Sequence, residues 1–483
     1  GEGMTKDAPT AETSPRLDQL KELVPYLSRW LATQVEVQQV PGAQVAVRLG
    51  DELVLSEAYG EADQATGEVL TTDHLFRVAS HSKTFTAVAV MQLVEAGRLR
   101  LDDTVADLLD DYADTPLADA TVRELLSHTA GAIRDGVDAD FWQLDKSFPD
   151  AEALRATVAE HGATYQPQEH FKYSNIGYGV LGAIIERLTG ADYVCHMSSA
   201  VLEPLGLEKT SPELAEAQKE GAPRLVTGHC RPHGRNRSRV TVGNPATGAL
   251  AAATGFVSTA EELSYFFASL TVGSGGLLTD RSLRLMQRPE STVPRGGETG
   301  TYGLGVIGTT VGERKTIGHS GGFPGQITRT LVDPAGGLTV CVLTNAVDGS
   351  AESLAVGLVE LIDLLTTAPA AWQKLPEGVT EEDLKRLTGR YCCLWGETDV
   401  VYGGGRLLML DPTVSTPLTA AQELRALDAT TLRVQDKDGF GASGEQIPFD
   451  VDQDGTVTRM RVTGVSSWPE EQYLARRGAT LMP

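Results

Sequence analysis

The sequence is poor in cysteine and has no long apolar run. Among its 483 residues are five cysteines, which are odd in number, widely scattered and without metal-ligand spacing: Cys195, Cys230, Cys341, Cys392 and Cys393. We therefore expect reduced packing residues rather than a disulfide framework or a metal site. A membrane-spanning helix needs about 18 consecutive apolar residues, and no stretch approaches that length.

Positive charge is also scarce. Lysine and arginine total 41 against 65 aspartates and glutamates, which gives a net charge of −24 at pH 7. A surface of that sign repels phosphate backbones and anionic lipid, so we expect neither nucleic acid nor a membrane as a partner. The apolar content of 41% is ordinary for a globular protein. A packed body that acts on a small-molecule or peptide substrate is the expectation, and the composition leaves the oligomeric state open.

The first residues lack the features of a signal segment. Gly1-Glu2-Gly3 before Met4 indicates an expression-tag remnant, and we expect residues 1–14 to be a disordered tail. No charged-then-apolar segment opens the chain. If Met4 is the native start, the sequence predicts a cytoplasmic enzyme.

Residues 15–365 are predicted to form one large domain in which strands from both ends join one sheet. Spaced apolar residues predict helices near 15–38, 80–97, 180–188 and 353–365. Strand patterns occur at 43–47, 53–55, 302–307, 326–332 and 338–344, on both sides of a helix-rich middle. The helix at 80–97 is apolar on almost every side, so it has to be buried.

The C-terminal part has a different pattern. Residues 366–380 have the small and polar composition of a linker. From 381 to 483 the chain shows short alternating runs punctuated by glycine and aspartate, as in an antiparallel β-barrel. We therefore predict a second, all-β domain.

Ser80-His81-Ser82-Lys83 is the only S-x-x-K in the chain and lies at the start of the buried helix. A three-residue spacing puts the Ser80 hydroxyl and the Lys83 amine on one face, one turn apart. Serine is a weak nucleophile until a neighbouring base takes its proton, and burial lowers the pKa of a lysine toward that role. An isolated S-x-x-K is more often a helix cap followed by a solvent-facing lysine.

Two further patterns are also unique in the chain. Tyr173-Ser174-Asn175 precedes the helix near 180, and in an extended loop its phenol and amide would project in the same direction. His319-Ser320-Gly321, followed by Gly322, combines an imidazole with glycines that allow a strand edge to approach a ligand closely. Taken singly, Tyr173 is more often a packing residue and His319 an ordinary loop residue.

Together, S-x-x-K, Y-x-N and H-x-G in this order resemble the penicillin-recognising serine hydrolases: serine DD-peptidases, class C β-lactamases, D-aminopeptidases and related esterases. Val40-Pro41-Gly42-Ala43 and Leu125-Leu126-Ser127-His128-Thr129-Ala130-Gly131 are typical of the same group. The resemblance implies an α/β (α+β) β-lactamase/penicillin-binding-protein-like transpeptidase fold, with an antiparallel sheet flanked by helices and a helical subdomain. Leu387-Thr388-Gly389-Arg390-Tyr391 resembles the start of the lipocalin-like barrels appended to many such proteins.

The resemblance also implies roles for individual residues. Ser80 would attack the substrate carbonyl, while Lys83 and Tyr173 share proton transfer. The other implied site residues are His319 as the third catalytic motif, Asn175, Ser320 and Gly321 in substrate binding, and the backbone N–H groups of Ser80 and Gly322 as the oxyanion hole. No cofactor or metal is expected.

His319 stands where β-lactamases of this group usually have lysine, which favours the peptidase and D-aminopeptidase branches. We therefore expect an acyl-transfer enzyme for peptides, amides or (thio)esters, with a D-residue acyl donor. A penicillin-binding-protein-type thioesterase that cyclises peptides, a carboxylesterase and a β-lactamase are the alternatives within the family.

Two hypotheses belong to other classes. Gly318 to Gly322 also matches G-x-S-x-G, which would make Ser320 the nucleophile of an α/β-hydrolase. That motif requires a strand, a sharp turn and a helix, whereas Phe323-Pro324-Gly325 does not continue as a helix. A binding protein with an inactive site would normally have lost one of the three motifs, and none is lost here.

Overall fold

The computed structural model describes residues 15–295 and 298–480, so the predicted tail at 1–14 lies outside the described residues. The chain divides into two compact units, one formed by 38–355 and the other by the residues before 38 together with those after 355. Helix α1 (Leu17–Val37) therefore belongs to the unit that contains the C-terminal residues. The sequence analysis had placed it in the large domain. Within the described residues, the helices are too short or too polar to cross a bilayer.

The unit 38–355 is built on a nine-stranded sheet in the order β3-β2-β1-β13-β12-β11-β10-β9-β8. Its strands are β1 (Gly42–Leu49), β2 (Glu52–Asp63), β3 (Glu68–Val69), β8 (Ser291–Arg295), β9 (Glu298–Tyr302), β10 (Ile307–Val311), β11 (Arg314–Phe323), β12 (Gln326–Asp333) and β13 (Leu338–Thr344). Strands from the two ends of the segment meet where β1 pairs antiparallel with β13. The predicted antiparallel sheet is thus confirmed.

Four further strands form two small pairs in the same unit. They are β4 (Phe76–Arg77) with β7 (Val257–Ser258), and β5 (Gly228–His229) with β6 (Thr241–Val242). The predicted strand at 302–307 is wrong in its extent, because the chain turns between β9 and β10. Gly305 has a φ of +79° there, and a Cβ at that position would lie 2.5 Å from the Ala87 Cβ.

Helix α2 (His81–Glu95) lies at the centre of this unit, as its all-round apolarity predicts. Every residue from His81 to Met91 is buried, and the Phe85 ring stacks on Phe256 and Phe266 at centroid distances of 4.2 and 3.7 Å. The other helices of this unit are α3 (Val105–Leu108), α4 (Val122–Ser127), α5 (Ala151–His161), α6 (Asn175–Thr189), α7 (Tyr193–Met197), α8 (Glu203–Leu205), α9 (Leu214–Ala217), α10 (Ala251–Thr254), α11 (Ala260–Ala268) and α12 (Asp280–Gln287). Helix α13 (Ala351–Thr366) begins at the end of this unit, and its residues from Val356 onward belong to the other unit.

The C-terminal strands close into an eight-stranded barrel, β14 to β21 in sequence order. They are β14 (Gly389–Cys393), β15 (Gly396–Gly403), β16 (Arg406–Leu410), β17 (Ala421–Asp428), β18 (Thr431–Val434), β19 (Gln446–Val451), β20 (Val457–Val462) and β21 (Val465–Pro469), with helices α14 (Glu381–Arg386), α15 (Pro417–Ala420) and α16 (Glu470–Thr480). Buried apolar side chains such as Leu407, Leu432 and Ile447 form one core cluster in this unit. The predicted barrel is confirmed.

A buried ion pair joins the first two barrel strands. The Arg390 guanidinium on β14 donates two parallel hydrogen bonds to the Asp399 carboxylate on β15, at 2.8 and 2.9 Å. The same carboxylate accepts the Tyr26 hydroxyl at 2.8 Å, and Arg390 also donates to the Thr33 hydroxyl at 2.6 Å. Both ions are almost completely buried, and the Glu397 and Glu470 carboxylates lie farther from Arg390, at 3.7 and 3.9 Å.

Replacing Asp399 with asparagine should therefore destabilise this unit, because buried Arg390 loses its bidentate partner and keeps only the longer contacts with Glu397 and Glu470. We expect a loss of about 2–3 kcal/mol in the free energy of unfolding, measured by urea denaturation of the full chain. The control is Asp450→Asn, which removes the partner of Arg459 in a partly exposed pair on the same barrel and should cost less than about 1 kcal/mol. Equal losses of stability in the two variants would show that the buried Arg390–Asp399 pair contributes no more than the partly exposed pair.

Candidate active site

Ser80 and Lys83 meet at the first turn of α2, as their spacing predicts. Ser80 is the N-terminal cap residue of the helix, and the preceding Ala79 has a φ of +49°. A positive φ is uncommon outside glycine, and here it produces the turn between β4 and α2. The Lys83 Nζ lies 3.0 Å from the Ser80 Oγ, so the amine is in position to exchange a proton with the hydroxyl.

The other partners of Lys83 decide which way that hydrogen bond runs. Its fully buried Nζ donates to the Asn175 Oδ1 at 2.7 Å and to the Ala253 carbonyl at 3.1 Å. Burial, together with the nearby Arg134 cation, holds the pKa of Lys83 well below its usual value. A neutral amine has two N–H groups, and both are used by these oxygens. Its lone pair is then left for the Ser80 hydroxyl, which is the arrangement of a general base.

The Asn175 amide is oriented by Asp135, a residue that the sequence analysis missed. The Asp135 Oδ1 accepts the Asn175 Nδ2 at 2.7 Å and the Trp142 Nε1 at 2.9 Å. A carboxylate can only accept, so it fixes the amide with Nδ2 toward Asp135 and Oδ1 toward Lys83. No sequence pattern marks Asp135, because its partner lies forty positions along the chain.

Tyr173 completes the surroundings of the nucleophile. Its hydroxyl lies within hydrogen-bonding reach of Ser80, and the Lys83 Nζ lies 4.5 Å from the centre of its ring. Burial raises the pKa of the Tyr173 phenol above its usual value, so the group is protonated at neutral pH. Asn175 is the first residue of α6, capped by Ser174, and not part of an extended loop as the sequence analysis expected.

His319 lies within β11 and is fully buried. Its Nε2 is 2.9 Å from the Tyr302 hydroxyl, and its ring centre is 6.5 Å from that of Tyr173. Burial and the neighbouring Lys83 hold the pKa of His319 well below its usual value. The imidazole is therefore neutral and hydrogen-bonded to Tyr302. Tyr302 is a residue that the sequence analysis did not identify.

The glycines after His319 bring β11 next to the nucleophile. A Cβ on Gly321 would lie 2.5 Å from the Val78 carbonyl oxygen and 3.2 Å from the Ala79 Cβ, whereas a Cβ on Gly322 would make ordinary contact. Strand β10 pairs with β11 only as far as Gly318. The segment 319–323 is therefore bonded to β12 alone, and its other edge is open to a substrate backbone.

Ser320 does not have the surroundings of a nucleophile elbow. It lies in the middle of β11, opposite Arg329 on β12, and β12 begins at Gln326 directly after a hairpin turn. The strand, turn and helix that the α/β-hydrolase hypothesis requires are thus missing at this position. Among the residues that the structure describes, no group of three histidine, cysteine or acidic side chains has metal-binding geometry.

A histidine and three tyrosines pack around Lys83. The His128 ring is centred 4.3 Å from Tyr173 and 4.7 Å from Tyr302, and its Nδ1 accepts the Ser174 N–H at 3.0 Å. Tyr178 donates its hydroxyl to the Leu126 carbonyl at 2.6 Å. These rings exclude water from the amine and hold the start of α6 against it.

Comparison with known proteins agrees with this geometry. The family model described as Beta-lactamase matches residues 27–361. Penicillin-binding protein 4 of Amycolatopsis lactamdurans is 38% identical over 186 residues, which are 36% of this chain and 46% of that protein. The matched segment spans half or less of the length of the first curated relatives.

Two solved structures extend the comparison. The octameric penicillin-binding protein homologue from Pyrococcus abyssi has a TM-score of 0.63 at 21% identity and covers 92% of this chain and 99% of its own, which shows a shared fold. D-amino acid amidase from Ochrobactrum anthropi SV3 has a TM-score of 0.59 at 25% identity and covers 70% of this chain and 99% of its own. The match over residues 27–361 shows that this chain belongs to the beta-lactamase family of penicillin-recognising serine hydrolases.

Proposed function

We propose that this enzyme transfers acyl groups through an acyl-enzyme on Ser80, from peptide, amide or (thio)ester donors whose reacting residue has the D configuration. The observation that carries the proposal is the geometry around Lys83. Its buried Nζ lies 3.0 Å from the Ser80 Oγ and donates to two neutral oxygens, so the deprotonated amine would have its lone pair free for the Ser80 hydroxyl.

The reaction follows from this arrangement. Lys83 takes the Ser80 proton as the Oγ attacks the substrate carbonyl, and the negative oxygen of the tetrahedral intermediate binds the backbone N–H groups of Ser80 and Gly322. Tyr173 gives its proton to the leaving group, the carbon–heteroatom bond breaks, and the proton on Lys83 restores the phenol. Water or an amine then attacks the acyl-enzyme, its proton passes to the same base, and that base returns a proton to the Ser80 Oγ as the acyl–oxygen bond breaks and the product leaves.

The surrounding residues hold this geometry. Asn175 binds Lys83 through its amide oxygen, and His319 anchors β11 through Tyr302. In this proposal the open edge of β11 at Ser320 and Gly321 pairs with the backbone of an extended acyl donor. Similarity to D-amino acid amidase supports a D-residue donor, and similarity to a penicillin-binding protein supports peptide substrates.

The first test identifies the nucleophile. Ser80→Ala should abolish both turnover and the covalent adduct formed with a slowly hydrolysed ester, because no other described serine or threonine hydroxyl is hydrogen-bonded to the Lys83 amine. Ser320→Ala keeps that pair and should still be acylated on Ser80, as intact mass and peptide mapping would show. An adduct on Ser320 in the Ser80→Ala protein would contradict the proposal.

The second test concerns Asp135 as a positioning residue. Asp135→Asn frees the Asn175 amide to turn, so we expect kcat/KM to fall by about 10- to 100-fold. The Asp135 carboxylate also raises the Lys83 pKa against burial and Arg134. Activity requires the neutral amine and so increases as pH rises through that pKa. Removing the negative charge should move this limb of the kcat/KM profile to lower pH.

Trp142→Phe is the matched control, since it removes a neutral donor to the same carboxylate and leaves the charge. It should leave the acid limb in place. If Asp135→Asn lowers activity with no displacement of the limb, Asp135 has only a structural role.

The third test concerns stereochemistry. We expect D-residue donors to exceed L-residue donors in kcat/KM by at least about tenfold, equal to roughly 1.4 kcal/mol of differential transition-state binding. The ratio is measured with the D and L forms of alanine and phenylalanine, each as the amide and as the thioester. Equal rates in each pair would exclude the D-specific part of the proposal and leave the Ser80 mechanism standing.

A further inference from the structure

The chain contains one long segment without any acidic residue. Between Glu220 and Glu261 there is no aspartate or glutamate, although 65 of the 483 residues are acidic. Five arginines lie in this segment, and four of them are in the connection between β5 and β6: Arg231, Arg235, Arg237 and Arg239. We call residues 230–240 the arginine loop. The net charge of the arginine loop is positive, whereas that of the whole protein is negative.

The start of this loop is fixed to the sheet through His229, the residue before it. His229 donates its backbone N–H to the Gly325 carbonyl at 3.3 Å, in the turn that follows β11, and Val347 donates to the His229 carbonyl at 3.0 Å. The buried His229 ring accepts the Gln64 N–H on Nε2 at 3.2 Å and lies 2.8 Å from the Asn345 carbonyl through Nδ1. The loop therefore starts from a rigid base beside the end of β11.

The residues after the loop support the nucleophile. The Arg77 guanidinium, three positions before Ser80, donates to the Asn244 side chain at 2.8 Å and to the Pro245 carbonyl at 2.6 Å. Further along, the Ala253 carbonyl accepts Lys83. The arginine loop is thus attached on one side to the turn after β11 and on the other to the supports of Ser80.

The arginines of the loop differ in their partners. Arg239 is half-buried and forms an ion pair with Asp348 at 2.5 Å, so it belongs to the base. Arg231, Arg235 and Arg237 are exposed, and none forms an ion pair within 4 Å among the described residues, although Arg231 is near enough to Asp348 to interact with it electrostatically. Arg237 has a φ of +48° in a turn closed by the His233 N–H bond to the Ser238 carbonyl. Arg235 and Arg237 therefore lie two positions apart within one exposed turn.

From this arrangement we infer that the arginine loop binds an anionic group of the substrate, a carboxylate or a phosphate, at the end of the open β11 edge. Exposed cations that form no ion pair raise the local concentration of anions, and a guanidinium pairs with carboxylate or phosphate through two parallel hydrogen bonds. The acidic remainder of the surface repels such a substrate, which restricts its approach to this rim. The inference rests on the proposed function, since it concerns the acyl donor of the same site.

The test compares matched anionic and neutral donors with the full chain. A substrate can run along β11 in either direction, so one pair carries the charge on the acyl end (N-succinyl against N-butanoyl D-phenylalanyl thioester). The second pair carries the charge on the leaving group, which is mercaptopropionate in one thioester and the amide of mercaptopropionate in the other. We expect kcat/KM to favour the anionic member of at least one pair by about fivefold, and this preference should shrink in about 0.5 M salt. Methyl phosphate as a competitive inhibitor distinguishes phosphate from carboxylate binding.

Arg235→Gln combined with Arg237→Gln should remove the preference and leave kcat/KM of the neutral donors unchanged. The control is Arg281→Gln with Arg284→Gln, which makes the same change of charge on the exposed face of α12 and should keep the preference. A preference that survives in the loop variant, or none in the unaltered protein, overturns the inference. Failure of the neutral donors to acylate Ser80 would instead overturn the proposed function.

Discussion

The burial of the Lys83 amine is the constraint on which the rest of this site depends. An ammonium group without a counterion is costly to bury, and the structure provides two neutral oxygens at Nζ rather than a carboxylate. The charge is therefore disfavoured, and the amine is available as a base next to Ser80. The apolar surface of α2 and the rings around it have a chemical as well as a structural role, because they keep water from restoring the charge.

The position of Asp135 follows from the same constraint. A carboxylate in direct contact with Lys83 would stabilise the ammonium form and weaken the base. Here the Asp135 carboxylate does not touch Lys83 directly, because the Asn175 amide lies between the two groups. The amide transmits orientation from the carboxylate, while the longer separation reduces its effect on the lysine charge. A charged residue can in this way organise a site that needs an uncharged base.

The second constraint is the close approach of β11 to the turn before Ser80. Gly321 leaves no space for a side chain against the Val78 carbonyl, and Arg77 holds this turn from the other side through its contact with Phe323 at 4.3 Å. Burial lowers the pKa of Arg77 to about 10, with Glu213 acting in the opposite direction, so the guanidinium stays charged at neutral pH. The open edge of the strand and the nucleophile are held together by glycine on one side and a buried cation on the other.

The sequence by itself determined the long helices, the strand-rich segments and the chemistry that lies within a single element. The spacing of Ser80 and Lys83 on an apolar helix, the return of strands after a helical middle and the alternating C-terminal runs all depend on local periodicity, which reports the faces of a single element. Tertiary structure alone decided the rest: the contact of Asp135 with Asn175, the hydrogen bond between Tyr302 and His319, and the grouping of α1 with the barrel unit. These join residues on different elements, and no pattern within one element specifies which side chains from another will meet it when the core closes.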